Sequence, residues 1–269
     1  MQGRVLIVAG SDSGGGAGIQ ADLKTVTCLG GYAATAITAL TAQDTRAVHG
    51  IHEVPPDFLR LQMEVVLGDL GADAVKLGML HRADIIEVVA DVLRVHAPGV
   101  PVVADPVMVA KSGHSLLEES AFRALLARIL PLARVLTPNL PEAERLLGRP
   151  IAGIAEMPAA ARALLALGPQ AVLLKGGHLQ GDRLVDVLAG AGGITVFESE
   201  RIRTSSTHGT GCTLASAIAT GLAQGLGLEQ AVARARAYVR EAILRAPGLG
   251  GGHGPLGHGH TVRPFAVSS

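Results

Sequence analysis

Short apolar runs rich in Val, Ile and Leu alternate with longer stretches of helical pattern along this chain. "RVLIVAG" precedes "GIQADLKTVTCLGG", "ADAVKLGM" precedes "ADIIEVVADVLRVH", and "VPVVADPVM" precedes "EESAFRALLARILP". "ARVLTPN" then leads into "PEAERLLG", and "MPAAARALLALG" into "AVLLKGG". Strand followed by helix, repeated this often, confines the chain to a mostly parallel sheet, because parallel neighbours need a crossover and the crossover helices cover both faces. After Lys175 the rhythm changes to "RLVDVLAG" and "GITVFESERI", which predict an antiparallel edge. Two helices follow, over about 211–223 and 228–245, and then a Gly/His loop, "PGLGGGHGPLGHGH", read as a flexible loop or lid. No repeat or linker divides residues 1–269, so the expectation is one domain, an α/β three-layer αβα sandwich.

Composition narrows the function. Lys+Arg and Asp+Glu balance at 23 each with no basic run, which leaves no electrostatic footprint for nucleic acid. The first apolar run is too short for a signal peptide, and no unbroken apolar stretch reaches about 18 residues, so a cytoplasmic protein without a membrane partner is expected. Two cysteines, Cys28 and Cys212, make no disulfide framework. Cys28 reads as core. Only four lysines (Lys24, Lys76, Lys111, Lys175) and one asparagine, Asn139, occur, so the places where they stand draw attention.

In open parallel sheets ligands bind beyond the carboxyl ends of the strands. At the first such end, "AGSDSGGGAGIQADLKT" fits G-x-G-x-x-A at 16–21, but no acidic residue ends a second strand about 20 residues on, and no P-loop spacing is present. The loop then reads as a turn or as a substrate-side loop that includes Gly10 and Asp12. Gln43, in "TALTAQDT", is a polar strand end whose amide also matches an amino group beside a ring nitrogen, the edge of an aminopyrimidine. With aromatics at 2%, a flat ligand would lie against aliphatic and thioether walls; Met79 and Val107 are candidates, and both also suit core packing.

Asp105, Asn139 and Glu142 are hard oxygen donors near strand ends, suited to Mg2+ that keeps its waters while carrying nucleotide phosphates. Asn139, Pro141 and Glu142 equally suit a helix start, and both readings stand. Lys175 ends an otherwise uncharged strand among glycines, either solvated or touching phosphate. In "THGTGCT", Thr207 precedes a bend, Gly209, Thr210, Gly211 and Cys212, that opens a helix. Consecutive amides at a helix start bind anions, and the same dipole is expected to lower the Cys212 thiol's pKa toward neutrality. A buried, inert cysteine is the competing reading.

Seven segments taken together, "AGSDSGGGAGIQADLKT", "AITALTAQDT", "KLGML", "DPVMVAKSGHSLL", "LTPNLPEAERLLG", "LLKGGH" and "HGTGCTLASAIA", resemble the hydroxymethylpyrimidine/phosphomethylpyrimidine kinases of the ribokinase-like superfamily. The resemblance implies a ribokinase-like αβα fold, ATP and Mg2+, and two successive phosphorylations of an aminopyrimidine in thiamine biosynthesis. It also implies a homodimer. It places Gln43 against the pyrimidine and Asn139 and Glu142 in the motif that organises Mg2+; Lys175 and Thr207 are taken with ATP, and residues 209–212 with catalysis. G-T-G-C, where the wider superfamily has G-A-G-D, points to the vitamin-kinase branch. One departure is "GLGGGHGP", which lacks a lysine expected in the C-terminal loop. The rival readings are a pyridoxal or pyridoxine kinase, a non-catalytic pyrimidine or nucleotide sensor, and, more distantly, a dehydrogenase.

Overall fold

In the computed structural model, which describes residues 2–108, 118–179 and 181–263, the apolar runs become one sheet. Its strands are β1 (Arg4–Asp12), β2 (Tyr32–Gln43), β3 (Val48–Glu53), β4 (Ala74–Leu77), β5 (Val102–Ala104), β6 (Ala133–Leu136), β7 (Ala171–Lys175), β8 (Arg183–Gly190) and β9 (Gly193–Glu200). They lie in the order β3-β2-β1-β4-β5-β6-β7-β8-β9. The strands from β2 to β7 run parallel, while β8 and β9 form the antiparallel edge that the change of rhythm predicts. A second antiparallel edge, β3 on β2, is not predicted. The turn between them is an Asx turn, in which Asp44 Oδ1 accepts the amides of Arg46 and Ala47.

Helices α1 (Gly18–Cys28), α7 (Thr210–Ala223) and α8 (Leu228–Leu244) cover one face. Helices α2 (Pro56–Asp69), α3 (Ala83–His96), α4 (Glu119–Ala124), α5 (Leu140–Leu147) and α6 (Met157–Leu165) cover the other. The pattern "EESAFRALLARILP" is helical only to Ala124 in regular form and continues as a π turn over Leu125–Ile129. Most of "DPVMVAKSGHSLL", Lys111 included, lies outside the described residues. No helix among the described residues is long and apolar enough to cross a membrane.

The period of two along each strand decides what points at which layer. Val5, Ile7 and Ala9 of β1 pack toward α1 and α7, whereas Leu6 and Val8 pack the other way. Ala74, Val103, Val135 and Leu173 also face α7. Two residues further along their strands stand Lys76, Asp105, Thr137 and Lys175, so the same alternation delivers four polar side chains to the α7 face at the strand ends. Sheet order reverses at β1, flanked by β2 and β4, which makes the carboxyl ends there the crevice of the fold.

The C-terminal Gly/His segment is docked. His253 N–H donates to Thr45 O at 2.8 Å, and Gly252 N–H to Thr45 Oγ1 at 3.1 Å. His208 N–H donates to Gly254 O at 3.1 Å. A Cβ at Gly252 would stand 2.2 Å from the Thr45 carbonyl, so glycine is what lets the two backbones meet.

Candidate active site

A cleft of about 920 Å3 opens at the strand ends beneath the start of α7. Gly10, Asp12, Gln43, Met79, Val107, Asp105, Asn139, Glu142, Lys175, Thr207 and the bend Gly209 to Cys212 all line it. The C-terminal loop, read as a flexible loop or lid, is not among its lining residues; it braces the β2–β3 turn and the backbone of His208. The missing lysine therefore falls on a segment that lies behind His208, which itself lines the cleft.

Gly209 caps α7 with φ +82°, and a Cβ there would overlap the Gly16 carbonyl at 1.8 Å. The bend thus packs directly on the N-terminal glycine loop; Thr210 N–H donates to Thr207 O at 3.4 Å, and the amides of Gly211 and Cys212 are among those that an α-helix leaves without internal partners. Gly211 lies over the pair of half-buried Lys175 and buried Asp105: a Cβ there would meet Lys175 Nζ at 3.4 Å and Asp105 Oδ2 at 3.5 Å. The expected lowering of the Cys212 thiol is overturned. Burial pushes it up to about 11, Asp22 and Asp105 add to the rise, and Lys76 together with the Gly18 amide offsets only part of it. With its pKa raised this far, the thiol form of Cys212 predominates at neutral pH.

Lys76 has no role in the sequence reading beyond its strand-end position. It is fully buried, donates to Asp22 Oδ2 at 2.7 Å and lines the cleft near Cys212; Asp22 Oδ1 accepts from Ser216 at 2.6 Å. Burial works against its charge, but Asp22, Cys212 and Asp105 hold its pKa above the ordinary lysine value.

Lys175 donates to Asp105 Oδ1 at 3.0 Å, and Thr137 adds a 3.2 Å bond to the same oxygen. Asn139 and Glu142 form a reciprocal capping box: Glu142 N–H donates to Asn139 Oδ1 at 3.0 Å, and Asn139 N–H to Glu142 Oε2 at 2.8 Å. The helix-start reading of these residues is therefore realised. Burial raises Glu142 to about 7, with Asp105 adding and Lys175 opposing. Among the described residues no group of three or more His, Cys, Asp or Glu side chains is arranged to hold a metal ion. The two carboxylates and the asparagine nonetheless form a donor set of hard oxygens on the cleft wall, which fits a hydrated Mg2+.

Asp12 is buried, and its carboxylate accepts the amides of Gly14, Gly16 and Ala17 at 2.8, 3.1 and 2.8 Å. His208 Nε2 lies 2.8 Å from Asp12 Oδ2. Burial pushes the Asp12 carboxyl up, but His208 and the loop amides outweigh it and hold it below the usual range. Asp12 thus shapes the glycine loop. Gln43 ends β2 and lies beside His208 and Thr41, at 3.3 Å from each. Met79 and Val107 belong to a small apolar cluster with Ala39 and Ile51, at once packed and facing the cleft.

Two groups escape sequence reasoning. His208 stands in a quoted motif, but only the fold brings it to Asp12 across 196 positions. Arg236 and Arg240 of α8 line the far end of the cleft, where Asp186 holds Arg236 at 2.8 Å and accepts the Gly176 amide at 3.0 Å. Basic residues on an amphipathic helix look solvated from sequence, and only the α8 packing shows otherwise.

Residues 12–257 match the family model described as phosphomethylpyrimidine kinase. The chain is 54% identical over 257 residues to the thiamine biosynthesis bifunctional protein ThiED of Geobacter sulfurreducens, covering 96% of this chain and 52% of that protein, about half its length. It is 50% identical to the hydroxymethylpyrimidine/phosphomethylpyrimidine kinase of Rhizobium meliloti, over 95% of this chain and 96% of that one. Among solved structures, an ADP complex of Bacillus subtilis pyridoxal kinase superposes with a TM-score of 0.88 at 37% identity, covering 96% of this chain and 98% of that one. The ordered motifs, the ribokinase-like sandwich and these matches agree, and the chain belongs to the phosphomethylpyrimidine kinase family.

Proposed function

We infer that this chain phosphorylates 4-amino-5-hydroxymethyl-2-methylpyrimidine with ATP and then phosphorylates the monophosphate to the pyrophosphate, a step pair of thiamine biosynthesis. The observation that carries this reading is one cleft holding both an amide suited to an aminopyrimidine edge, Gln43, and an anion-binding bend, Gly209 to Cys212, above the Lys175–Asp105 pair. Identity of 54% and 50% to the two relatives named above supports the substrate. The ADP bound to the pyridoxal kinase neighbour supports ATP as the donor.

The chemistry is in-line transfer. Gln43 selects the ring between the Met79 and Val107 walls, while the backbone of Gly10 and the loop shaped by Asp12 close one side. Lys175, with Thr207, meets the ATP phosphates, and the amides of residues 209–212 face the charge on the moving phosphoryl. Asp105, Asn139 and Glu142 would hold Mg2+, through waters since each already has a protein partner, and the ion would supply neutralisation of phosphate charge. Cys212 takes the hydroxyl proton in the first step as its minor thiolate form. In the second step the nucleophile is an already ionised phosphate, and a base matters less. A homodimer in the cytoplasm completes this reading.

The similarity to a pyridoxal kinase favours one second reading, turnover of pyridoxal in the same cleft. ADP release measured side by side with the aminopyrimidine, its monophosphate and pyridoxal tests both. The aminopyrimidine and its monophosphate are expected to be preferred over pyridoxal; preference for pyridoxal alone, or binding without turnover, would contradict the main reading.

A further inference from the structure

His208 is buried and has no part in the chemistry above, yet its Nε2 touches the two side chains that frame the ring site. Proton counting fixes what it does there. Asp12 is held as a carboxylate and acts only as an acceptor, so Nε2, 2.8 Å away, must carry the proton. That same N–H faces one terminal atom of the Gln43 amide at 3.3 Å; the other terminal atom lies 3.3 Å from Thr41 Oγ1. The Thr41 hydroxyl spends its proton on Ser11 O at 2.9 Å, so toward Gln43 it can only accept. With the amide nitrogen toward His208, an N–H would face an N–H, and an oxygen would face the lone pairs of Thr41. With the amide oxygen toward His208, both contacts become hydrogen bonds: His208 shares its N–H between Asp12 and Gln43, and Gln43 donates to Thr41. Amide orientation is decided by such networks, and here each partner gives the same answer.

We propose that His208 is a positioning residue that, braced by Asp12, pins the Gln43 amide with its oxygen toward the α7 bend and so sets the direction in which the pyrimidine lies. The inference rests on the aminopyrimidine reading above. An amide so pinned accepts from the 4-amino group on the His208 side and donates to the adjacent ring nitrogen on the Thr41 side. Carbon 5, with its hydroxymethyl group, follows carbon 4 in the same direction. The hydroxyl is therefore carried toward the side where residues 209–212 begin. A reversed amide would place the ring nitrogen there and turn the hydroxymethyl away. Ring recognition and presentation of the nucleophile are thus one choice, made by the His208 proton.

A 4-oxo analogue, 5-hydroxymethyl-2-methylpyrimidin-4-one, tests this because its edge is inverted: N3–H donates and O4 accepts. Wild type should prefer the 4-amino compound in kcat/KM by at least tenfold, the discrimination expected of one two-point contact. His208→Leu frees the amide, and the amino-to-oxo ratio should fall about tenfold or more, with kcat on the oxo compound retained or raised. His208→Gln, which restores an N–H donor, should recover the ratio. Loss of activity on both compounds in equal measure, with the ratio unchanged, would overturn the proposal. Should His208→Leu not fold, a crystal structure of wild type with the 4-amino substrate decides: the amino nitrogen on the Thr41 side of Gln43 overturns it. If wild type turns over neither the aminopyrimidine nor its monophosphate, the underlying functional reading fails first and this inference falls with it. A changed ratio and absent turnover are separate results.

Discussion

Cys212 shows how much burial can outweigh a helix start. Its position in the first turn of α7 and the Lys76 charge both favour the thiolate, yet the thiol rises to about 11. If it is the base of the first step, kcat/KM for the unphosphorylated pyrimidine should climb with pH through the neutral and mildly alkaline range, because the competent thiolate grows tenfold per unit below its pKa. The monophosphate reaction should be flatter. Cys212→Ala should abolish the climb and reduce the first step far more than the second; parallel losses in single-turnover assays would assign Cys212 a packing role. His258 is a second residue governed by burial. It is 4% exposed, bonded to Thr213 Oγ1 at 2.9 Å, and burial with the nearby Lys24 charge pulls it down to about 4. The native state holds it neutral while the unfolded chain protonates near 6.5, so its contribution is complete above pH 6.5 and is lost as pH falls toward 4. Urea unfolding across that window should lose on the order of 3 kcal/mol from this group. His258→Gln should flatten that dependence.

At the level of elements, β4 and α1 meet through one fully buried ion pair, Lys76 with Asp22. Lys76→Met leaves a buried carboxylate with Ser216 alone and should cost about 3–5 kcal/mol, whereas pairing it with Asp22→Leu should recover much of that. Thermal denaturation of both variants checks it. The sequence shows why Lys76 stands out, as one of four lysines at the end of an apolar strand, but not that its partner comes from α1. The same limit applies elsewhere. The β8–β9 edge is legible as a change of rhythm, whereas β3, "VHGIHE", hides its strand character behind His and Gly, and the edge it makes depends on the Asp44 turn. Asn139 and Glu142 are legible as a pair at the right spacing; that they bond each other first, in the cap of α5, is a matter of atoms rather than of letters. The Gly/His tail reads as a loose loop because nothing in its composition reveals the carbonyl of Thr45, which its backbone fits closely.

Across the whole molecule, the sheet brings residues of β1, β2, β4 and β7, and those that follow β5 and β6, to one cleft, closed by a bend some two hundred residues from the loop it touches. Ligands that bind only this assembled state should stabilise it: ATP or the aminopyrimidine at about a hundred times its Kd should add about 2.7 kcal/mol, read as a rise in Tm. Gly209→Ala, which forces a Cβ into the Gly16 carbonyl, should lower Tm and suppress that ATP-dependent rise. In the proposed function one cleft performs both transfers on an aminopyrimidine. Phosphorus NMR of a reaction containing the protein, excess ATP, Mg2+ and 4-amino-5-hydroxymethyl-2-methylpyrimidine tests it most directly. A monophosphate resonance should appear first and then give way to the paired resonances of the pyrimidine pyrophosphate; ATP left unconsumed, or a reaction that stops at the monophosphate, would contradict two transfers in one cleft.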